Sequence, residues 1–172
     1  MLGLFKPKPA PKGPVEIGFS LEIERPAHEV YALVDWADPR NAKRATGNEV
    51  RAVEGDPTRF DLIMPMLSDL TFEMRVREAI PYSRYAYECV IRPQYGMLTH
   101  SLETYDFEPQ GDHRCVVAML CVASFAEGLS EREYAEEAAS MSAGVQSSMQ
   151  KLKLQAEHGA QFAKALEGNT LL

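Results

Sequence analysis

The chain has 172 residues, of which 45% are hydrophobic and 25% charged, and its formal net charge is −7 at pH 7. These values fit one globular domain. Nucleic-acid binding is disfavoured, because it needs a clustered basic face on the protein. No apolar run approaches the roughly 20 residues that cross a bilayer, so we expect no integral membrane segment.

The N-terminal residues 1–14 include four prolines and three lysines. This composition predicts a flexible tail that is either solvated or in contact with a partner or an anionic surface. Met1 to Phe5 is too short for a signal-peptide core and lacks a small-residue cleavage pattern. The three cysteines, Cys89, Cys115 and Cys121, lie in strand-like segments and indicate reduced core residues of a cytoplasmic protein.

Strict alternation of apolar and polar residues predicts a half-buried strand from Val15 to Glu24. Pro26 suits the first turn of a short helix that reaches Val34. Asp38-Pro39 predicts the N-cap and first turn of a second short helix, which Gly47 ends.

Six further strands follow, separated by turn residues such as proline, glycine and aspartate. Because neighbouring strands are joined by short, hairpin-like connections, we expect an antiparallel sheet. The predicted strands are Glu49–Val53, Arg59–Met64, Leu70–Val76, Tyr85–Ile91, Leu98–Phe107 and Cys115–Phe125.

A long amphipathic helix is predicted from Ser130 to about His158. Ser130 and Glu133 have the spacing of a capping box. At ~1.5 Å per residue the helix is about 43 Å long, enough to cross a seven-stranded sheet. Gly159 ends or kinks it, and residues 161–172 are expected to be a frayed extension. The apolar stripe of this helix recurs every three or four residues: Tyr134, Ala138, Met141, Val145, Met149, Leu152 and Ala156.

The order of these elements resembles the START-like (SRPBCC) superfamily of helix-grip proteins, which includes polyketide cyclases and small lipid carriers. The resemblance covers residues 15–160. It rests on the alternating Val15–Glu24 strand, the Pro26–Leu33 segment, the Tyr105–Gly111 hairpin and the Met149–Glu157 part of the last helix. It implies an α+β fold with a seven-stranded antiparallel sheet wrapped round the long helix, and two short helices closing one end.

The resemblance also implies a cavity between sheet and helix, where members bind lipids, sterols or polyketides. The superfamily has no universal catalytic set, so no catalytic residue is carried over. Methionines suit an adaptable pocket, although they serve equally as core filler. The predicted lining residues are Phe19, Leu21, Phe60, Leu62, Phe72, Met74, Tyr85, Tyr87, Met119, Met141 and Val145.

Three polar side chains have two interpretations each. Tyr85 and Tyr87 lie two apart on one strand face, where their hydroxyls either orient a ligand or reach water at the rim. His100 is a weak candidate for a catalytic acid or base and a candidate ligand-binding residue. It enters the cavity if Leu98 and Leu102 face inward, and it is solvated if Tyr105 and Phe107 do.

No cofactor and no metal is expected. The sequence has no His, Cys and carboxylate cluster at zinc-ligand spacing, no glycine-rich phosphate loop and no nucleophile elbow.

The Cys115–Phe125 strand is apolar on both faces, with Val116, Ala118, Leu120 and Val122 on the second face. A sheet with one solvent-exposed face should have polar residues on that face. This stripe indicates either a homodimer interface or cover by the N-terminal segment.

The function predicted from these features is binding or carriage of a small hydrophobic molecule, lipid- or polyketide-like, in the cavity. The alternative is an enzyme of the polyketide cyclase or dehydratase type that uses acid–base catalysis in the same cavity. A third interpretation is an interaction module that binds a protein partner through its outer strand or its acidic helix. The sequence leaves open whether any reaction is catalysed.

Overall fold

The computed structural model describes residues 8–167, so the predicted tail and C-terminal extension lie partly outside the described residues. Within residues 8–167 no helix is both long and apolar enough to cross a membrane. All seven predicted strands are present: β1 (Val15–Ile23), β2 (Glu49–Ala52), β3 (Arg59–Ile63), β4 (Thr71–Ile80), β5 (Arg84–Arg92), β6 (Leu98–Pro109) and β7 (Cys115–Phe125).

The strands form one antiparallel sheet in the order β1-β7-β6-β5-β4-β3-β2. Every pairing except that of β1 with β7 joins strands adjacent in sequence, as the short connections predict. The fold is therefore α+β, and the predicted sheet is confirmed.

Two helices lie between β1 and β2. The first, α1 (Ala27–Val34), begins directly after Pro26. The second, α2 (Ala42–Ala45), begins later than predicted because Asn41 caps it, its side chain accepting a hydrogen bond from the Lys43 N–H. Asp38 instead accepts hydrogen bonds from the backbone and side chain of Arg40. A short 3₁₀ helix, Pro65–Leu67, precedes β4.

The long helix α3 (Glu131–His158) confirms the prediction from the apolar stripe and the capping box. Val145, Met149 and Leu152 are buried where the helix packs on β1 and β7. Gly159 ends the helix with a φ of 101°, a left-handed conformation that favours glycine.

The segment after Gly159 is ordered as a separate helix, α4 (Ala160–Glu167), rather than a frayed extension of α3. Ala163 on α4 is only 2% exposed and lies against the rest of the fold. Residues 168–172 lie outside the described residues.

The end of α3 is tied to the end of β1 by hydrogen bonds. Arg25 donates to the carbonyl oxygens of Ala156 and Glu157, each at 3.0 Å. The Glu24 N–H donates to the Glu157 carboxylate at 2.8 Å. These bonds satisfy carbonyls that the helix leaves unpaired at its end and fix the helix across the sheet.

Part of the predicted tail is paired with the chain before α3. Pro9 forms an isolated β-bridge with Ser130, and the Ala10 N–H donates to the Leu129 carbonyl oxygen. This segment therefore reaches the start of α3. Residues 1–7 lie outside the described residues.

The outer face of β7 carries the second apolar stripe. Leu120, flanked by Gly18 and Thr104 on the neighbouring strands, is 42% exposed. Since Gly18 has no side chain to cover it, Leu120 presents an apolar surface to solvent. The homodimer interpretation of this stripe stays a prediction.

Replacement of Ser130 by alanine removes the side-chain oxygen that accepts from the Glu133 N–H at 3.3 Å. We expect the free energy of unfolding to fall by about 1 kcal/mol, the usual loss for an N-cap. Urea denaturation followed by circular dichroism measures it. Ser140→Ala, at an exposed position inside the same helix, is the control and should be neutral or slightly stabilising. Equal losses in both variants would contradict a capping role.

Candidate functional site

A cavity of about 80 Å³ lies where α1, α2, α3 and α4 meet the inner face of the sheet. Trp36, Tyr87, Tyr105 and Leu152 contribute aromatic and aliphatic walls, and Lys43 contributes a charge. Ser148 on α3 also lines the cavity and is exposed, so it lies at the mouth. Because an apolar cavity of roughly 150 Å³ holds benzene, this space is too small to enclose a molecule of that size and could hold only one end of it.

Trp36 is held in place through its backbone. Its N–H donates to the Tyr85 hydroxyl at 3.1 Å, and its carbonyl oxygen accepts from Arg44 at 3.2 Å. Its indole ring packs edge-on against the Tyr87 ring, with centroids 5.3 Å apart. The sheet and α2 together therefore fix the indole at the cavity wall.

The indole Nε1–H of Trp36 has no hydrogen-bond acceptor within residues 8–167, although the residue is only 3% exposed. A buried donor without an acceptor costs about 1–3 kcal/mol. Trp36 lines the cavity, but its Nε1 is buried, so the unpaired donor lies behind the cavity wall.

Asn41 connects the two short helices at this wall. It is 2% exposed, and its amide donates to the carbonyl oxygens of Val34 at 3.3 Å and Asp35 at 3.0 Å. The same side chain caps α2, so it fixes the start of the helix that brings Lys43 to the cavity.

A carboxylate and three hydroxyls form a polar cluster on the inner face of the sheet, hereafter the Glu103 cluster (Glu103, Tyr87, Tyr105 and Ser101). The Glu103 Oε2 accepts from the Tyr87 hydroxyl at 2.5 Å and from the Tyr105 hydroxyl at 3.4 Å. The Ser101 side chain lies beside this carboxylate. Two members, Tyr87 and Tyr105, line the cavity, so the cluster borders it.

Burial raises the pKa of Glu103 above its ordinary value, while the hydrogen bond from Tyr87 and the charge of Lys43 act in the opposite direction. Burial, reinforced by the nearby carboxylate, also raises the pKa of both tyrosines well above the usual range. The tyrosine hydroxyls are therefore protonated donors at neutral pH. Glu103 itself is half-buried and does not line the cavity; Tyr87 and Tyr105 lie between the carboxylate and the cavity.

His100 lies on the outer face of the sheet, which corrects its predicted place in the cavity. It faces Glu88, with 3.6 Å between the imidazole Nε2 and the carboxylate Oε1. A β-bulge between Leu98 and His100 is the reason, since an extra residue moves the following side chains to the opposite face. Leu98 packs against the core, yet beyond the bulge Tyr105 and Phe107 face inward. Acid–base catalysis in the cavity by His100 therefore has no geometric support.

The other predicted lining residues all belong to the hydrophobic core or pack against it. Tyr87 also lines the cavity. Tyr85 has a structural role instead, because its hydroxyl accepts from the Trp36 N–H and interacts with Asp35. Those found in the core are Phe19, Leu21, Phe60, Leu62, Phe72, Met74, Tyr85, Met119, Met141 and Val145.

The three cysteines are buried free thiols in the same interior. Burial raises the pKa of Cys115 to about 11 and that of Cys121 to about 12. They are thiols rather than thiolates at neutral pH, so they act as small apolar residues of the core.

The sequence interpretation missed Glu103, Trp36 and Lys43. One signal was available for Glu103, because it alternates with Ser101, Tyr105 and Phe107 on one strand face. A carboxylate among inward aromatic residues is rare unless it is paired. Nothing local marks Trp36 or Lys43, whose place depends on the path of the chain between α1 and α2.

Solved structures share this architecture. Ara h 8.0201 has 7% sequence identity and a TM-score of 0.63, and the alignment covers 89% of this chain and 99% of that one. A START superfamily protein from Mycobacterium smegmatis has 14% identity and a TM-score of 0.52, with 90% of this chain and 95% of that chain covered.

DynU16, a protein of the dynemicin biosynthetic locus, has 14% identity and a TM-score of 0.62; 84% of this chain and 48% of DynU16 are covered. This chain therefore spans about half the length of DynU16. No protein-family model and no curated protein matches the sequence. At these identities the likeness concerns the fold alone, and it confirms the predicted helix-grip fold.

The raised pKa of Glu103 has a consequence for stability. A carboxyl whose pKa is raised on folding stabilises the protein below its unfolded pKa, near 4.5, and that contribution is lost as the pH rises through the folded pKa. In Glu103→Gln this pH-dependent loss of stability is absent, because glutamine does not ionise. We therefore expect the variant to gain stability relative to wild type as the pH rises above 4.5.

Urea denaturation of both proteins across this pH range measures the difference. Glu108→Gln, on the same strand but exposed, is the control and should leave the difference flat. A difference for Glu103→Gln that does not change with pH would contradict a raised pKa.

Proposed function

We propose that the protein binds a small, predominantly apolar molecule in the cavity between the sheet and α3, with one polar group of that molecule inside. The observation that carries this proposal is a cavity lined by Tyr87 and Tyr105, whose hydroxyls belong to the Glu103 cluster. Ligand sites are typically apolar spaces with a few placed polar groups.

The fold supports the same function. A START superfamily protein shares the helix-grip architecture, and this chain has an interior space between its sheet and α3. More specifically, we propose that the ligand is lipid- or polyketide-like, since such molecules combine an apolar body with a few oxygen atoms.

An acid–base enzyme is the second candidate, and one observation favours it. The Glu103 carboxylate and the Tyr87 hydroxyl lie 2.5 Å apart beside the cavity, as a base and a proton donor would. A cyclase or dehydratase would use the same pocket with Glu103 in the role first considered for His100.

Blocking the mouth tests the binding proposal. Ser148→Trp places an indole at the mouth. We expect the binding of toluene, whose methyl end the cavity admits while its ring lies in the mouth, to weaken about tenfold or more, or 1.4 kcal/mol. Saturation-transfer NMR on the full chain measures toluene binding. Gln150→Trp, exposed on the same helix and absent from the cavity wall, is the matched control and should bind toluene as wild type does.

Native mass spectrometry of freshly purified protein, followed by solvent extraction, gives the identity of a natural ligand. A stoichiometric apolar adduct that is lost in Ser148→Trp and kept in Gln150→Trp would support the proposal. Toluene binding that both variants retain equally, or that wild type lacks, would reject binding at this cavity.

A further inference from the structure

Two lysines reach the cavity from different helices. Lys43 belongs to α2 and Lys151 to α3, and both side chains line the cavity and are half-buried. A lysine buries its carbon stem and keeps its ammonium group at the solvated end of the side chain, so both charges lie toward the mouth. The cavity therefore has positive charge at its opening, although the chain as a whole has a net charge of −7.

The charges around the cavity do not cancel. The charge of Lys43 opposes the rise that burial causes in the pKa of Glu103, so one lysine is matched by one carboxylate. Lys151 forms no ion pair with any carboxylate among residues 8–167. At least one positive charge is thus left over, which suits a ligand with one negative charge. The residues three and four positions from Lys151 on α3 are all uncharged: Ser147, Ser148, Leu154 and Gln155.

The size of the cavity suits a carboxylate group. Benzene has six heavy atoms and fits a cavity of roughly 150 Å³, so the three heavy atoms of a carboxylate need about half that volume. The cavity measures about 80 Å³. It therefore encloses a charged head group, and the rest of the ligand must lie in the mouth.

The mouth offers both a hydrogen-bond donor and apolar surface. Ser148 lies three residues before Lys151, so the two side chains are neighbours on one face of α3, and the serine hydroxyl can donate to an anion. Ala163 of α4 lines the cavity. Leu166, one turn further along the same face of α4, is 36% exposed and gives an apolar chain a surface to contact.

We propose that the ligand is an apolar carboxylic acid in its anionic form. Its carboxylate lies in the cavity between the ammonium groups of Lys43 and Lys151 and accepts from the Ser148 hydroxyl, and its apolar chain leaves through the mouth. This inference rests on the proposed function, because it assumes that the cavity is a binding site. It adds the chemical class and the charge of the polar group that the cavity encloses.

Hexanoate and hexanamide test the inference, because they have the same chain and the same number of heavy atoms but differ in charge. Ligand-observed NMR titration of the full chain at low ionic strength measures both dissociation constants. We expect hexanoate to bind about tenfold or more tightly than hexanamide, since hydrogen bonds to charged groups are the stronger ones. This preference should shrink as sodium chloride is added. Acetate, which lacks the apolar chain, should bind more weakly than hexanoate.

Variants of the two lysines test the assignment. Lys43→Gln and Lys151→Gln should each weaken hexanoate binding about fivefold and leave hexanamide binding unchanged. Lys151→Arg keeps the charge and should keep the preference. Lys12→Gln, exposed near the start of α3, removes the same charge far from the cavity and should match wild type. Should Lys43→Gln fail to fold, the two Lys151 variants decide the assignment.

Each outcome bears on the inference separately from the proposed function. Equal binding of hexanoate and hexanamide would overturn the inference and leave the binding role intact. A preference that persists in Lys43→Gln and Lys151→Gln, or that Lys12→Gln loses equally, would overturn the assignment to these lysines. Acetate that binds as tightly as hexanoate would contradict the apolar chain. If wild type binds none of the three, the inference fails, and the toluene comparison of Ser148→Trp with Gln150→Trp judges the proposed function alone.

Discussion

The interior of this protein follows from one geometric constraint: a single helix is too narrow to cover the sheet. Seven strands spaced about 4.8 Å apart make a sheet about 29 Å wide, whereas a helix with its side chains is about 10–12 Å across. The helix α3 packs on β1 and β7, at one side of the sheet. The inner faces of β5 and β6 must therefore be covered by something else, and the cavity lies where that cover begins.

The segment between α1 and α2 covers these inner faces. It is held in position by side-chain hydrogen bonds more than by regular secondary structure. Tyr85 and Arg44 bind the backbone of Trp36 from opposite sides, and Asn41 binds the end of α1 while it caps α2. These contacts place an indole and a lysine over the Glu103 cluster. Because the segment is positioned by side chains from the sheet and from α2, its indole donor is held in place without an acceptor of its own.

The fold could be predicted from the sequence because its signals are local and repeated. The alternation from Val15 and the Ser130–Glu133 capping box each depend on a few neighbouring residues. The candidate site could not be predicted in the same way, because the alternation of apolar and polar residues does not reveal a β-bulge or a contact between distant parts of the chain. The bulge at Thr99 reverses the faces of β6, so Leu98 and His100, both expected on one face, lie on opposite faces. The same reversal turns Glu103 inward, and Trp36 is held at the cavity by hydrogen bonds to Tyr85 and Arg44.

The bulge therefore decides more than the position of one histidine. Without it, Leu102 and Thr104 would face the helix, and the interior would be apolar and closed like an ordinary core. With it, a carboxylate faces the interior, where only hydroxyl donors and a nearby lysine balance its burial. Such a cluster lowers stability as Glu103 ionises, and the same raised pKa strengthens the carboxylate as a base. An apolar residue of similar volume would stabilise the core better at this position.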